Sequence, residues 1–230
     1  MSKVFLCGDP HGEFDHILSA IDQWHPDAVL ILGDLTPSHS LDEIFKGVKG
    51  TKIYWIPGNH ELWTTAKDPV QIHGAPRYEY LVNMCRELDV ITPEDPFPVW
   101  EGDEGPVTVV PMFLLYDYSF LPEGARDKEH GLEIARDKNV VATDEFLLSP
   151  QPYATRDAWC RARIEYTQAR LDALPEGTRT VLVNHFPMVR QPTDVLMYPE
   201  FALWCGTTAT ADWHVKYNAV CSVYGHLHIP

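Results

Sequence analysis

Five short segments of this 230-residue chain carry side chains able to hold a divalent cation: Gly8-Asp9-Pro10-His11, Gly33-Asp34, Gly58-Asn59-His60-Glu61, Asn184-His185 and Gly225-His226-Leu227-His228. Each follows an apolar run, so the ligand stands where that run stops. Carboxylate, imidazole and amide together suit first-row divalent ions such as manganese, iron or zinc, with manganese first among them. No cysteine falls in any of the five, which argues against a soft thiolate site. The mixed donor set points to a catalytic rather than a structural site. Asp9, His11, Asp34, Asn59, His185, His226 and His228 are more donors than the four one structural zinc takes, so two ions are the economical reading. Taken singly, an Asp-x-His triplet or a Gly-Asp is common in ordinary loops. The order and context of all five segments carry the inference.

Residues this far apart converge only if the fold gathers the strand ends. Val4 to Cys7, Ala28 to Leu32, Ile53 to Ile56, Thr180 to Val183 and Ala219 to Tyr224 read as strands that each run into a ligand segment, and Val107 to Leu115 contains another. Phe14, Ile17, Leu18, Ile21 and Trp24 recur at helical spacing, Leu41, Ile44, Phe45 and Val48 suggest a second helix, and Arg77 to Leu88 reads as a third. Asp157 to Leu174 reads as a helix stopped by Pro175-Glu176-Gly177. Strands alternating with helices predict an α/β chain with a mainly parallel sheet. In such sheets functional groups collect beyond the carboxyl ends of the strands. Where a glycine precedes the ligand, it is expected to let the backbone turn sharply as the strand stops. Residues 116–154 show no clear period and are expected as a surface excursion forming a substrate-facing cap on a single domain spanning 1–230.

Composition narrows the partners. Net charge is −15, from 18 Lys+Arg against 33 Asp+Glu, so most of the surface repels nucleic acid and anionic lipid. A phosphate substrate then needs local positive charge, which bound metal ions supply. The five cysteines are widely spaced without a C-x-x-C, which predicts free thiols. The longest uncharged apolar run, Ala28 to Gly33, is far short of the roughly 20 residues that span a bilayer. The N-terminus lacks the long apolar stretch of a signal peptide, so a cytoplasmic protein is expected.

The ordered set Asp-x-His, Gly-Asp, Gly-Asn-His, a lone His after a strand and Gly-His-x-His resembles the calcineurin-like metallophosphoesterase superfamily over residues 9–228. The resemblance implies an α/β/β/α four-layer fold, a β-sandwich flanked by helices. It implies that Asp9, His11 and His228 bind one ion, that Asn59, His185 and His226 bind a second, that Asp34 bridges both, and that His60 is catalytic without binding metal. It implies hydrolysis of a phosphate mono- or diester by a hydroxide shared between the two ions, with His60 assisting the leaving group. Asp144-Glu145-Phe146, Asn184-His185-Phe186-Pro187-Met188-Val189-Arg190, Pro199-Glu200-Phe201 and Trp204-Cys205-Gly206-Thr207 are similar to a bacterial subgroup that includes 4′-phosphopantetheinyl hydrolases. That similarity implies a small phosphorylated molecule or a phosphopantetheinylated carrier protein as substrate.

Arg190, five residues after His185, is a candidate for the substrate phosphate, because guanidinium meets phosphate bidentately; a surface salt bridge is the alternative. Arg77 is a weaker candidate. Two departures bear on activity. Many protein phosphatases of the superfamily read Gly-Asp-x-x-Asp-Arg-Gly, whereas this chain has Pro37 in place of the second Asp and no Arg after it. This disfavours a protein Ser/Thr phosphatase and leaves the partner that orients His60 open. The sequence also ends two residues after His228, so the expected sandwich lacks C-terminal strands. An inactive scaffold of the same fold is the remaining alternative, disfavoured by the retention of every ligand type and of His60.

Overall fold

The structure of the protein, a computed structural model, describes residues 3–35, 41–102 and 104–229. Strands β1 (Val4–Cys7), β2 (Ala28–Ile31) and β3 (Lys52–Trp55) form a parallel sheet in that order. Strands β4 (Val99–Gly102), β5 (Gly105–Pro111), β6 (Thr180–Val183) and β7 (Ala219–Val223) form a second sheet in that order, with β4 antiparallel to β5 and the rest parallel. The sequence pattern suggests one mainly parallel sheet; two sheets are found, as the family resemblance implies. β4 went unread because a four-residue Val-Trp-Glu-Gly carries almost no period.

The two sheets pack face to face. Leu30, Tyr54 and Ile56 from the first sheet meet Val109 and Val183 from the second in one buried layer, and Trp100 Nε1 donates to Tyr54 Oη at 3.1 Å across it. The alternate residues Val29, Ile31, Ile53 and Trp55, and Val110 and Leu182, face outward into a larger apolar cluster with the helices. Strands buried on both faces read as continuous apolar runs, which is why β2 and β3 stood out in the sequence. Helices α1 (Asp15–Trp24), α2 (Leu41–Gly47), α3 (Asn59–Leu62) and α4 (Gly74–Glu87) belong to the first half. Helices α5 (Lys128–Asp137), α6 (Asp144–Leu147), α7 (Arg156–Asp172) and α8 (Trp213–Lys216) follow. α7 starts at Thr155, whose hydroxyl accepts from Ala158 N at 3.2 Å, a standard way to satisfy a free N–H at a helix start.

Segment 116–154 differs from the aperiodic surface excursion expected of it. It contains α5 and α6, and Tyr116, Tyr118, Phe120, Ala135 and Leu148 are buried. Asp127 caps α5 by accepting from His130 N at 2.8 Å. The helix was illegible because its apolar positions are few. All five cysteines are free thiols. Among the described residues no helix is long and apolar enough to cross a membrane. Pro37 and His39, in the stretch that departs from the protein-phosphatase pattern, lie outside the described residues.

Candidate metal centre

In each sheet the parallel strands end level with one another, Cys7 beside Ile31 beside Trp55 and Pro111 beside Val183 beside Val223, so the ligand segments leave at common edges. The sharp turns there are made mainly by the ligands themselves, joined at the end of β2 by Gly33 with φ +87°. Asp9, His11, Asp34, His226 and His228 all have φ between +44° and +70°. Non-glycine residues in this left-handed region cost energy and cluster at functional sites. The preceding glycines serve a different purpose from the expected one at two positions. A Cβ on Gly58 would lie 2.1 Å from Asp34 Oδ1, and one on Gly225 would lie 2.6 Å from Asp9 Oδ2. Hydrogen in place of a side chain lets the carboxylates come in against the neighbouring strand end.

Donors from all over the chain meet. Asp9, His11 and His228 each offer an atom within 4.8 Å of the others; so do His11, Asp34 and His60, and so do Asp34, His185 and His226. Asn59 joins the last group through Oδ1, which lies 3.2 Å from His185 Nε2. All seven residues expected to bind metal, together with His60, therefore line one site. Asp34 is grouped with His11 on one side and with His185 and His226 on the other, the placement a bridging carboxylate needs. His11 Nε2 and His228 Nε2 face each other at 3.0 Å. His185 Nδ1 lies 2.5 Å from the Leu32 carbonyl and donates to it, which turns Nε2 toward Asp34 and Asn59, where losing its proton would free a lone pair for a cation. Metal-binding histidines are commonly oriented by such an outer partner.

Electrostatics and satisfaction both fit cations. Among the described residues His226 Nε2, buried beside Asp34 and His185, has no hydrogen-bond partner, and an orphaned buried imidazole nitrogen needs an explanation. Burial opposes charge on His185, yet the Asp34 carboxylate 3.4 Å away raises its pKa to about 9. Burial and the neighbouring His185 hold His226 down to about 3. Asp34 stays well below the usual carboxylate range despite its burial, because His185, His60 and His226 surround it. A buried carboxylate kept ionised, with the charge it favours falling on His185 while burial keeps His226 and His60 neutral, is a place for positive charge.

Two residues given no role from the sequence hold this arrangement. Glu61, fully buried, accepts Gly58 N at 2.7 Å and Asp34 N at 2.9 Å on Oε2, and Leu35 N at 2.7 Å on Oε1. It thereby ties the ends of β2 and β3 together. Burial and the nearby Asp34 push its carboxyl up to about 7, against the pull of those N–H groups. The signal was legible as a Glu three residues after the helix-starting Gly58. Replacing Glu61 with alanine leaves three buried N–H groups unpaired at roughly 1–3 kcal/mol each, so a loss of at least about 3 kcal/mol is expected in denaturant unfolding of the metal-free protein. A loss under about 1 kcal/mol would remove Glu61 from this role. The second residue is Asp144, buried, which accepts from Asn59 Nδ2 at 2.9 Å and Trp63 Nε1 at 2.6 Å.

His60 lies 3.7 Å from Asp34 Oδ2 and stacks on Trp63 with ring centroids 3.7 Å apart. Trp63 is thus the ring that sets its plane. Arg77 is buried, donating through Nε to the Glu61 carbonyl at 2.7 Å and pairing with Asp68, which makes it part of the scaffold. Arg190 donates to Asp194 at 3.1 Å with its side chain 41% exposed, and among the described residues its hydrogen bonds and ion pairs do not reach the ligand cluster.

A sequence profile of the calcineurin-like phosphoesterase family matches residues 2–230. The chain is 61% identical over 217 residues to the [acyl-carrier-protein] phosphodiesterase PptH of Mycobacterium tuberculosis, covering 92% of this chain and 65% of that protein. The chain therefore spans a little under two thirds of the length of that curated relative. It is 43% identical over 61 residues, 26% of either chain, to an uncharacterized protein of Haemophilus influenzae. The fold is similar to the crystal structure of phosphopantetheinyl hydrolase (PptH) from Mycobacterium tuberculosis, with a TM-score of 0.93 at 56% identity over all of this chain and 84% of the other. With its two-sheet fold and the gathered Asp, Asn and His side chains, the chain belongs to the calcineurin-like phosphoesterase family.

Proposed function

We propose that the protein hydrolyses a phosphodiester with the help of two divalent ions, and that its substrate is the phosphopantetheine linkage of a carrier protein. One observation carries the hydrolytic reading: Asp34 lies within ligand distance of His11, assigned to one ion, and of His185 and His226, assigned to the other, so it stands between the two sets. The substrate rests on similarity to the Mycobacterium tuberculosis protein. The residues suit Asp9, His11 and His228 around one ion and Asn59, His185 and His226 around the other, with Asp34 between, and manganese is the ion we favour. Bound there, the ions would polarise a phosphoryl oxygen and acidify a water.

The chain's own residues do the rest. Asp34 accepts from His60 N at 2.9 Å on Oδ1, which fixes the start of α3 and leaves Oδ2 directed at the histidines. Burial, with His11 and the other histidines alongside, holds His60 down to about 4 although Asp34 pulls it upward. At neutral pH the ring is neutral, and it meets the departing oxygen as an N–H donor. Arg190 pairs with Asp194 through Nη1 alone, and exposed ion pairs of this kind contribute about 0–1 kcal/mol, so the pair holds the guanidinium only weakly should a substrate phosphate compete for it.

The test is turnover, with added manganese, of bis-nitrophenyl phosphate, nitrophenyl phosphate, a phosphopeptide and a holo carrier protein. The diester and the holo carrier protein are expected to react. Turnover of the phosphopeptide alone would point to a protein phosphatase instead. A metal-loaded protein inert toward all four would be a scaffold.

A further inference from the structure

Asn59 and His60 are neighbours in sequence, and the structure ties both to one distant residue. Asp144, on the short helix α6, sends a single oxygen, Oδ1, to two donors: the Asn59 amide at 2.9 Å and the Trp63 indole at 2.6 Å. An asparagine amide has two chemically different ends. A carboxylate accepts only, so it must take the NH2 end, and Asn59 Oδ1 is then turned toward His185 Nε2 at 3.2 Å. The indole can bond that oxygen in one orientation, and in that orientation its face lies on His60, with centroids 3.7 Å apart and planes 26° from parallel. Asp144 is itself fixed from behind. Arg156 donates to the Asp144 carbonyl at 2.7 Å and to Glu145 at 3.0 Å, and Glu145 also accepts from Tyr118 Oη and Trp204 Nε1, each at 2.8 Å.

We propose that Asp144 is a positioning residue for both halves of the site: it selects which atom Asn59 presents to the ion, and through Trp63 it sets the plane of His60. This rests on the roles given above to Asn59 and His60. It also gives His60 an orienting partner in a chain that has Pro37 where protein phosphatases of the superfamily carry an aspartate.

The test uses Asp144→Ala, Trp63→Phe and the unaltered protein, with two readouts. One is manganese affinity by calorimetric titration of the metal-free protein. The other is the ratio of turnover on an alkyl diester to that on bis-nitrophenyl phosphate. Asp144→Ala is expected to weaken manganese binding about 10–100-fold, the usual effect of losing an outer partner of a metal ligand, and to lower the ratio. Trp63→Phe keeps a ring but loses the N–H, so it should lower the ratio with manganese affinity within about twofold of the unaltered protein, far less than the loss of a ligand's outer partner. Should Asp144→Ala fail to fold, Asp144→Asn takes its place. It removes the charge that strengthens both bonds, and the same changes are expected at smaller size. Unchanged affinity and unchanged ratio in a folded Asp144 variant would overturn the proposal. If the unaltered protein hydrolyses neither ester while Asp144→Ala still loses manganese, the positioning of Asn59 stands, and the positioning of His60 falls together with the hydrolase reading.

Discussion

Asp34→Asn is expected to leave the protein folded and to cost it both metal ions. Asp34 is 2% exposed and belongs to two of the three ligand groups. Its Oδ1 accepts from His60 N, a bond the asparagine oxygen can keep. The amide NH2 then replaces Oδ2 and points donors at His185 and His60, 3.4 and 3.7 Å away. A donor cannot ligate a cation, and the negative charge that offsets two neighbouring ions is lost as well. The fall in affinity should exceed the roughly 10–100-fold seen when only outer partners are removed. Metal analysis of the purified variant, with thermal unfolding to establish its fold, checks this. Retention of two tightly held ions would mean that Asp34 is not shared between them.

The second large effect is expected at His60. Its side chain is about one-third exposed, more accessible than the buried Asp34 and His185, so it can face an incoming ester. Loss of a hydrogen-bond donor to an oxygen that gains charge in the transition state typically lowers a rate about 10²–10³-fold. The drop from His60→Ala should reach that range for an alkyl leaving group, which departs as a strong base. For nitrophenolate, which departs unaided, it should be much smaller. Manganese content is expected to stay near that of the unaltered protein, since His60 is not among the residues assigned to either ion. Equal losses on the two esters would mean that His60 acts on binding or on the ions rather than on the departing oxygen.

Part of this architecture was legible before any coordinates. β2 and β3 are buried on both faces, so their apolar runs are continuous and stand out. Helix α7 was legible from its periodicity and the Pro-Glu-Gly that follows it, and appears as Arg156–Asp172. The weakly patterned elements were not. β4 is four residues long, and α5 and α6 are placed by contacts with other parts of the chain. Tyr116 and Phe120, in a stretch without period, are fully buried. Burial of a loop-like segment depends on what packs over it, and local pattern does not report that.

The sequence by itself determined which side chains could hold cations and that each would stand at the end of a strand, because donor chemistry and apolar runs are local properties. Only the tertiary structure decided the rest. It placed Asp9 under the His226 amide, Glu61 across the ends of β2 and β3, and Asp144 against Asn59 and Trp63, 85 and 81 residues away in the chain. It also put strained turns on the ligands themselves, with Gly33 the one preceding glycine that shares in them. The physical reason is that a buried carboxylate takes its meaning from the donors it faces, and those donors are brought to it by folding.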